Sequence, residues 1–546
     1  PAPRRGSPPT RSAAPGPSSP EESIVMASRP VAAQDRAGGS WSRLEVDQLA
    51  ERLPAVVLGP DGTALFVAGI ARASDAQLRT ALAVLAEAGV AHPELDDVLL
   101  EAGGSGSVAV ARPALELAPE ATRPQPLVAM LHRLVGAADT STVHAMAQAL
   151  PRRSTVLATV SVATMERRVA ALRRLARSNP SVYAPMLAEA LTGLSQRLTD
   201  LGLLDQALEA DLEAVKIHRR LAKREPSPEP SARAAAMANL ALSLSTSGRQ
   251  DEALAAAEEA AELGRRLAVE QPTRHLGLLA SSLGALATCL GGQRRRAEAL
   301  VAAQESTQLY LRLADRDPDT YQAALTASMI TQARQLAGLG RGDEALDQIK
   351  EAVRIRRRLT RQAPDAYLPD LAAGVTTLSR QLTGLGRHAD ALVHTREALR
   401  YYRRLSERGS DVYMANLASS LNHLVIALIR GGRHSTALVH ADEATQLYRR
   451  LAVSSPATHL PALASSTNNL AIVLAAVGRR EEAVEHAREV VRIRRQLARP
   501  DPDRYLAPLA ASLDNLAKQL RAIGLQAEAT APDEEAAKLR RRLASA

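Results

Sequence analysis

The sequence predicts an all-α fold: an α-solenoid of about eight 46-residue helix-turn-helix repeats behind a small α+β or irregular N-terminal region. Three observations predict it. The chain has 546 residues, whereas single hydrophobic cores stop growing at roughly 250–300 residues. Aromatic residues make up 2% of it, with one Trp (Trp41) and one Phe (Phe66), so Ala and Leu must supply the packing that aromatics usually dominate. The third is self-similarity at a period of 46. Steps of 46 from Ala207 reach Ala253, Ala299, Ala345, Ala391, Ala437, Ala483 and Ala529, every one Ala. Steps from Leu175 meet Leu without exception as far as Leu543. A fixed period held this long is the mark of stacked two-helix units sharing one continuous core.

Along the chain, residues 1–40 are rich in Pro, Ser, Ala and Gly and are expected to be a disordered tail. Residues 41–135 form the small N-terminal region. Its stretch 55–70 reads as two short strands around Pro60-Asp61-Gly62, and 107–113 as a third strand. Between them, 74–89 reads as a helix capped by Ser74 and stopped by Gly89. Residues 136–182 are a degenerate leading repeat, because 157–178 match only the second helix of a unit. The solenoid proper occupies 183–546.

One unit, 364–409, shows how each repeat is built. Pro364 interrupts the preceding helix, and a first helix follows from about Tyr367 to Leu385. Gly386 supplies a turn that favours positive φ. A second helix runs from about Ala389 to Glu407, with small and apolar residues spaced by threes and fours from Ala391 to Leu405. The Gly386 column is Gly throughout except at Arg294. The last unit carries Pro532 inside its second helix and is expected to be an atypical cap.

Residues 463–498 carry Leu470, Ala471, Leu474, Gly478 and Ala483 at offsets that resemble a tetratricopeptide repeat. They are most similar to the longer kind found in kinesin light chains and in many actinobacterial repeat proteins. The resemblance spans about residues 155–543; the period of 46 exceeds the family's 34 and implies longer helices. It also implies a concave groove, lined by first helices, that binds peptides. The column just before the family's Leu includes Asn239, His423, Asn469 and Asn515, with Asn422 and Asn468 beside it. The column two residues after that Leu includes Arg334, Arg380 and Lys518. Asn can pair with both groups of a peptide backbone, and the cations with carboxylates. These nine residues are the candidate partner-binding set.

Other patterns carry less. The net charge is +9, almost all of it from Arg, and an Arg ladder closes the second helices: Arg219-Arg220, Arg265-Arg266, Arg356-Arg357-Arg358, Arg403-Arg404, Arg449-Arg450, Arg494-Arg495 and Arg540-Arg541-Arg542. It reads as a stripe for nucleic acid or as cations at helix C-termini, and the second reading is preferred. His394, His440 and His486 also repeat by 46, but equivalent residues on helices packed roughly 8–10 Å apart cannot share a metal ion with ~2 Å bonds. The Gly-rich 103–107 lacks the Lys of a phosphate loop. No cofactor, metal site or catalytic constellation is expected. A single cysteine, Cys289, excludes an intramolecular disulfide and suits a reducing, cytoplasmic setting. The absence of an 18-residue apolar run argues against membrane insertion.

The expected function is a scaffold or adaptor, not an enzyme, whose groove binds a protein or peptide partner. The alternatives are the sensor region of a larger signalling ATPase or effector, and a nucleic-acid-binding solenoid.

Overall fold

The computed structural model describes residue 57 and residues 62–70, 73–224, 230–407 and 413–545; the expected tail at 1–40 lies outside them. No strand occurs among the described residues. They fall into two compact units that divide at Pro180/Ser181.

Among the described residues the first unit holds seven helices: α1 (Gly62–Ile70), α2 (Asp75–Ala88), α3 (Glu94–Gly104), α4 (Val108–Leu117), α5 (Gln125–Ala137), α6 (Thr140–Ala149) and α7 (Ala158–Ser178). The strands expected in 55–70 and 107–113 are therefore corrected where described: 62–70 is α1, and 108–113 opens α4. Short apolar runs have no period that separates strand from buried helix. The Ser107 side chain accepts from the Ala109 amide and starts α4, which runs through Pro113 and carries an Arg112–Glu116 pair at 3.0 Å. α2 begins as expected, with a reciprocal capping box between Ser74 and Gln77. Gly89 ends it for another reason than a left-handed turn. Its φ is −58°, and a Cβ there would meet Arg123 Nη1 at 2.4 Å and Asp96 Oδ1 at 2.6 Å. Arg123 forks onto Asp96 (2.6 and 3.1 Å) and donates to the Ala86 carbonyl (3.3 Å), tying α2 to α3. Leu82, Leu85, Leu95, Leu99, Leu127 and Leu131 make the centre of its core, all fully buried.

The second unit is eight consecutive helix pairs among the described residues. First helices are α8 (Pro180–Asp200), α10 (Pro230–Thr246), α12 (Pro272–Gly292), α14 (Pro318–Gly338), α16 (Pro364–Gly384), α18 (Met414–Arg430), α20 (Pro456–Ala476) and α22 (Pro502–Ala522). Second helices are α9 (Leu204–Arg224), α11 (Gln250–Glu270), α13 (Arg296–Arg316), α15 (Gly342–Gln362), α17 (His388–Glu407), α19 (His434–Ser454), α21 (Arg480–Ala498) and α23 (Gln526–Ser545). Pro272, Pro318, Pro364, Pro456 and Pro502 each open a first helix, where the missing N–H costs nothing. The turn column has positive φ throughout: Gly202, Gly248, Gly340, Gly386, Gly432, Gly478, Gly524 and, where Gly fails, Arg294 at 61°. The eight-residue Ala column is buried to 1% exposure or less, which places it at the closest approach of paired helices.

Successive first helices approach each other closely in several units (α10 with α12, α12 with α14, α18 with α20), whereas successive second helices stand farther apart. At those steps the first helices lie on the tighter side of the stack. α12 is long and apolar enough to cross a membrane by length and composition, but it packs between α11 and α13, and fully buried Leu283 and Ala287 make it a core helix of the array.

Candidate functional site

The first helices present to solvent a column two residues after the inward Leu. Gln196, Leu242, Arg334, Arg380, Ile426, Ile472 and Lys518 are all exposed, with only Thr288 half-buried among the eight. The reason is geometric: each follows by two positions a Leu, or Gln332 in α14, that faces inward, and two helical steps turn a side chain through about 200°. An exposed Leu or Ile alone means little. Three of them in register with three cations make a mixed apolar and basic row.

The neighbouring column lies deeper. Asn239, Thr331, Thr377, His423, Asn469 and Asn515 are half-buried, and Ala285 is buried. The structure brings some predicted residues together. Asn515 Nδ2 donates to Asn468 Oδ1 at 3.2 Å, and Gln519 Nε2 to Asn515 Oδ1 at 3.4 Å, a short network joining α20 to α22. Asn239 Nδ2 and Asn422 Oδ1 are buried without a hydrogen-bond partner among the described residues, an arrangement that costs free energy until a partner arrives. Arg334 and Arg380 sit in successive units. The surrounding protein desolvates Arg334, and with Arg380 beside it this lowers the Arg334 pKa; desolvation and Arg380 likewise hold the His423 pKa down. Two neighbouring cations with no ion-pair partner among the described residues favour an anionic group near them.

The Arg ladder has a different job. In six steps of the ladder one Arg reaches forward 40 residues to a Glu on the next second helix: Arg219–Glu259 (3.3 Å), Arg265–Glu305 (3.6 Å), Arg357–Glu397 (2.9 Å), Arg403–Glu443 (2.8 Å), Arg449–Glu489 (2.7 Å) and Arg495–Glu535. These long side chains span the wider gap between second helices. The one break is Leu311, which stands in the Arg column and is exposed; there Glu351 pairs with Arg354 of its own helix at 2.6 Å. The signal was in the sequence as an unbroken Glu column from Glu213 to Glu535, 40 residues ahead of the Arg column. The His ladder belongs to the same device. His394, His440 and His486 place Nδ1 at 3.1, 3.8 and 3.4 Å from Glu397, Glu443 and Glu489. Burial raises the Glu397 pKa, but hydrogen bonds from His394, Arg357 and Tyr401 outweigh it and hold it low. Glu489 is drawn to about 2, chiefly by His486, with burial opposing and Arg449 assisting.

Arg356 and Arg494, by contrast, turn into the stack. Arg356 donates to Thr326 Oγ1 (3.0 Å) and the Asp370 carbonyl (2.6 Å), and Arg494 to the Pro508 carbonyl (2.6 Å). Cys289 is buried, its thiol pushed by desolvation to about 11, so it packs as a small apolar group.

Among solved structures, the chain is similar to BtubC (BKLC) from P. vanneervenii, at 21% identity over 45% of this chain and 91% of that one, with a TM-score of 0.38. It is also similar to a Podosopora anserina putative kinesin light chain with nearly identical TPR-like repeats, at 20% identity over 41% and 96%, TM-score 0.29. The apo form of RapI overlaps 64% of this chain and 97% of its own at 12% identity, TM-score 0.33. These overlays are loose and carry nothing about function. No curated protein matches the chain. The family model of the tetratricopeptide repeat matches residues 187–228, 233–271 and 463–502. The helix pairs at those three places are tetratricopeptide repeats by that model, and the Ala207 and Leu175 columns run on through the units between them.

Proposed function

We propose that the array is a cytoplasmic scaffold, without catalytic chemistry of its own, whose first-helix face holds a segment of a partner protein. One observation carries this reading: the exposed column of Leu242, Arg334, Arg380, Ile426, Ile472 and Lys518 on the inner helices. The row alternates blocks of apolar and cationic side chains beside half-buried Asn side chains. Such a face suits a segment with apolar anchors, backbone groups to pair with Asn and at least one carboxylate for the Arg334/Arg380 pair. A repeating row offers a surface, whereas catalysis needs groups that converge on one point.

The experiment is affinity capture by the full chain from a nuclease-treated lysate, against Arg334→Ala/Arg380→Ala/Lys518→Ala. A protein retained by the wild type and lost from the variant supports the reading. Retention unchanged by the three substitutions overturns it. The separate helical unit at 57–180, with its own core, supports a second reading in which the array is the recognition part of a larger effector.

A further inference from the structure

The second helices carry another surface, independent of the inner face. We infer that the outer face of α15 and α17 is a docking site for a short acidic polypeptide segment. Arg396, Arg400 and Arg404 recur every four residues on one exposed stripe of α17, about 6 Å apart along the axis. Arg354, Arg358 and Arg361 expose the matching stripe of α15, and the Arg357–Glu397 pair locks the two helices side by side. Arg354 shares its charge with Glu351. Arg358 also lies within electrostatic reach of Glu351; Arg361, Arg396, Arg400 and Arg404 have no ion-pair partner among the described residues, although in six steps of the ladder one Arg is neutralised by a dedicated Glu.

Helix-end electrostatics does not account for the cluster. That effect fades beyond the last turn, and only Arg361 and Arg404 lie in the last turns of α15 and α17. Nor does the repeat impose it. The positions of Arg396 and Arg400 are Glu258 and Glu262 in α11, Gln304 and Gln308 in α13, and Asp442 and Gln446 in α19. The position of Arg404 is Arg in the flanking units too (Arg312, Arg450), and α21 carries Arg488 and Arg492, but at the positions of Arg396 and Arg400 the units on either side of α15 and α17 are neutral or acidic. Its rows are spaced like carboxylates at i and i+4 on a helix.

A double-stranded nucleic acid fits less well. It is a rigid polyanion with a charge every ~1.7 Å, and it would run on over Asp442 on one side or Glu258 and Glu262 on the other. The stripe also lacks the exposed aromatic platforms that single strands use.

The test uses the full chain and fluorescein-labelled poly-L-glutamate, read by anisotropy at low salt. Arg396→Glu/Arg400→Glu/Arg404→Glu is compared with Arg220→Glu/Arg266→Glu/Arg312→Glu, which makes the same change in net charge elsewhere on the second helices. The expected result is a loss of tenfold or more in affinity for the first variant and about threefold or less for the second. Arg396→Gln/Arg400→Gln/Arg404→Gln gives an intermediate loss and guards against misfolding of the reversed chain. Equal losses from the two reversals overturn the proposal. So does a duplex DNA probe that binds the wild type more tightly than poly-L-glutamate and is lost with the same three arginines.

Discussion

At the scale of the residue, Arg294 shows how much a single position can reveal. It occupies the turn column that is Gly in every other unit, and it is the one non-Gly residue with positive φ among those described. A side chain there costs roughly 1–2 kcal/mol relative to Gly. Arg294→Gly is therefore expected to stabilise the array by about 1 kcal/mol, and Gly340→Ala to destabilise it by a similar amount, both read by urea denaturation. The column was legible in the sequence, including its exception. Asp211 was not singled out, although it stands in a column that is mostly small or apolar (Ala257, Ala303, Ile349, Thr395, Ala441). It is fully buried, and desolvation lifts its pKa to about 6, with hydrogen bonds from Ser243 and Ser195 only partly opposing. A folded-state pKa above the unfolded value means that the fold favours the protonated form. Stability from this group is present below pH ~4 and is lost as pH rises through 6. Asp211→Asn should remove that loss, about 2–3 kcal/mol between pH 4 and 7. A difference between variant and wild type that does not change with pH would contradict it.

At the scale of the element, helix identity was legible where a period exists and illegible where it does not. The unit at 364–409 was expected as helices from about Tyr367 to Leu385 and Ala389 to Glu407; they run Pro364–Gly384 and His388–Glu407. In the first unit, 62–70 and 107–113 are too short and too uniformly apolar to show whether their period is 2 or 3.6, and the helical reading was decided by burial in a helical core. The seam between paired helices makes a firm prediction. Ala391 is 1% exposed, so Ala391→Leu should overpack α16 against α17 and cost roughly 1–3 kcal/mol in a thermal or urea melt. The Arg–Glu ladder makes a weaker one. Its gap at Leu311 is exposed, so Leu311→Arg should add a pair to Glu351 and at most about 0.5–1 kcal/mol, lost in high salt. That ladder shows why the stripe of arginines was only half legible. The charge pattern was visible, but the partner lies 40 residues ahead on another helix, a distance that no local rule inspects.

At the scale of the molecule, the second unit behaves as a one-dimensional stack, each pair answering mainly to its neighbours. The same period that fixes the core also fixes two outward-facing rows, one along the first helices and one along the second. The family resemblance implies a partner-binding column; the structure exposes Arg334, Arg380 and Lys518 of it and places Asn239, His423, Asn469 and Asn515 at half-burial. What the sequence withheld was the pairing of Asn468 with Asn515 and the effect of Arg380 on Arg334, because each joins residues of different helices. The central claim is that the first-helix face is occupied by a partner polypeptide. Site-specific photo-crosslinking tests it most directly, with a benzophenone side chain placed at Ile426 or Ile472 and, for comparison, at Val393 or Val439, which are exposed on second helices. The account predicts a discrete protein adduct from the Ile positions that disappears with Arg334→Ala/Arg380→Ala/Lys518→Ala. An adduct formed at the Val positions and not at the Ile positions would contradict it.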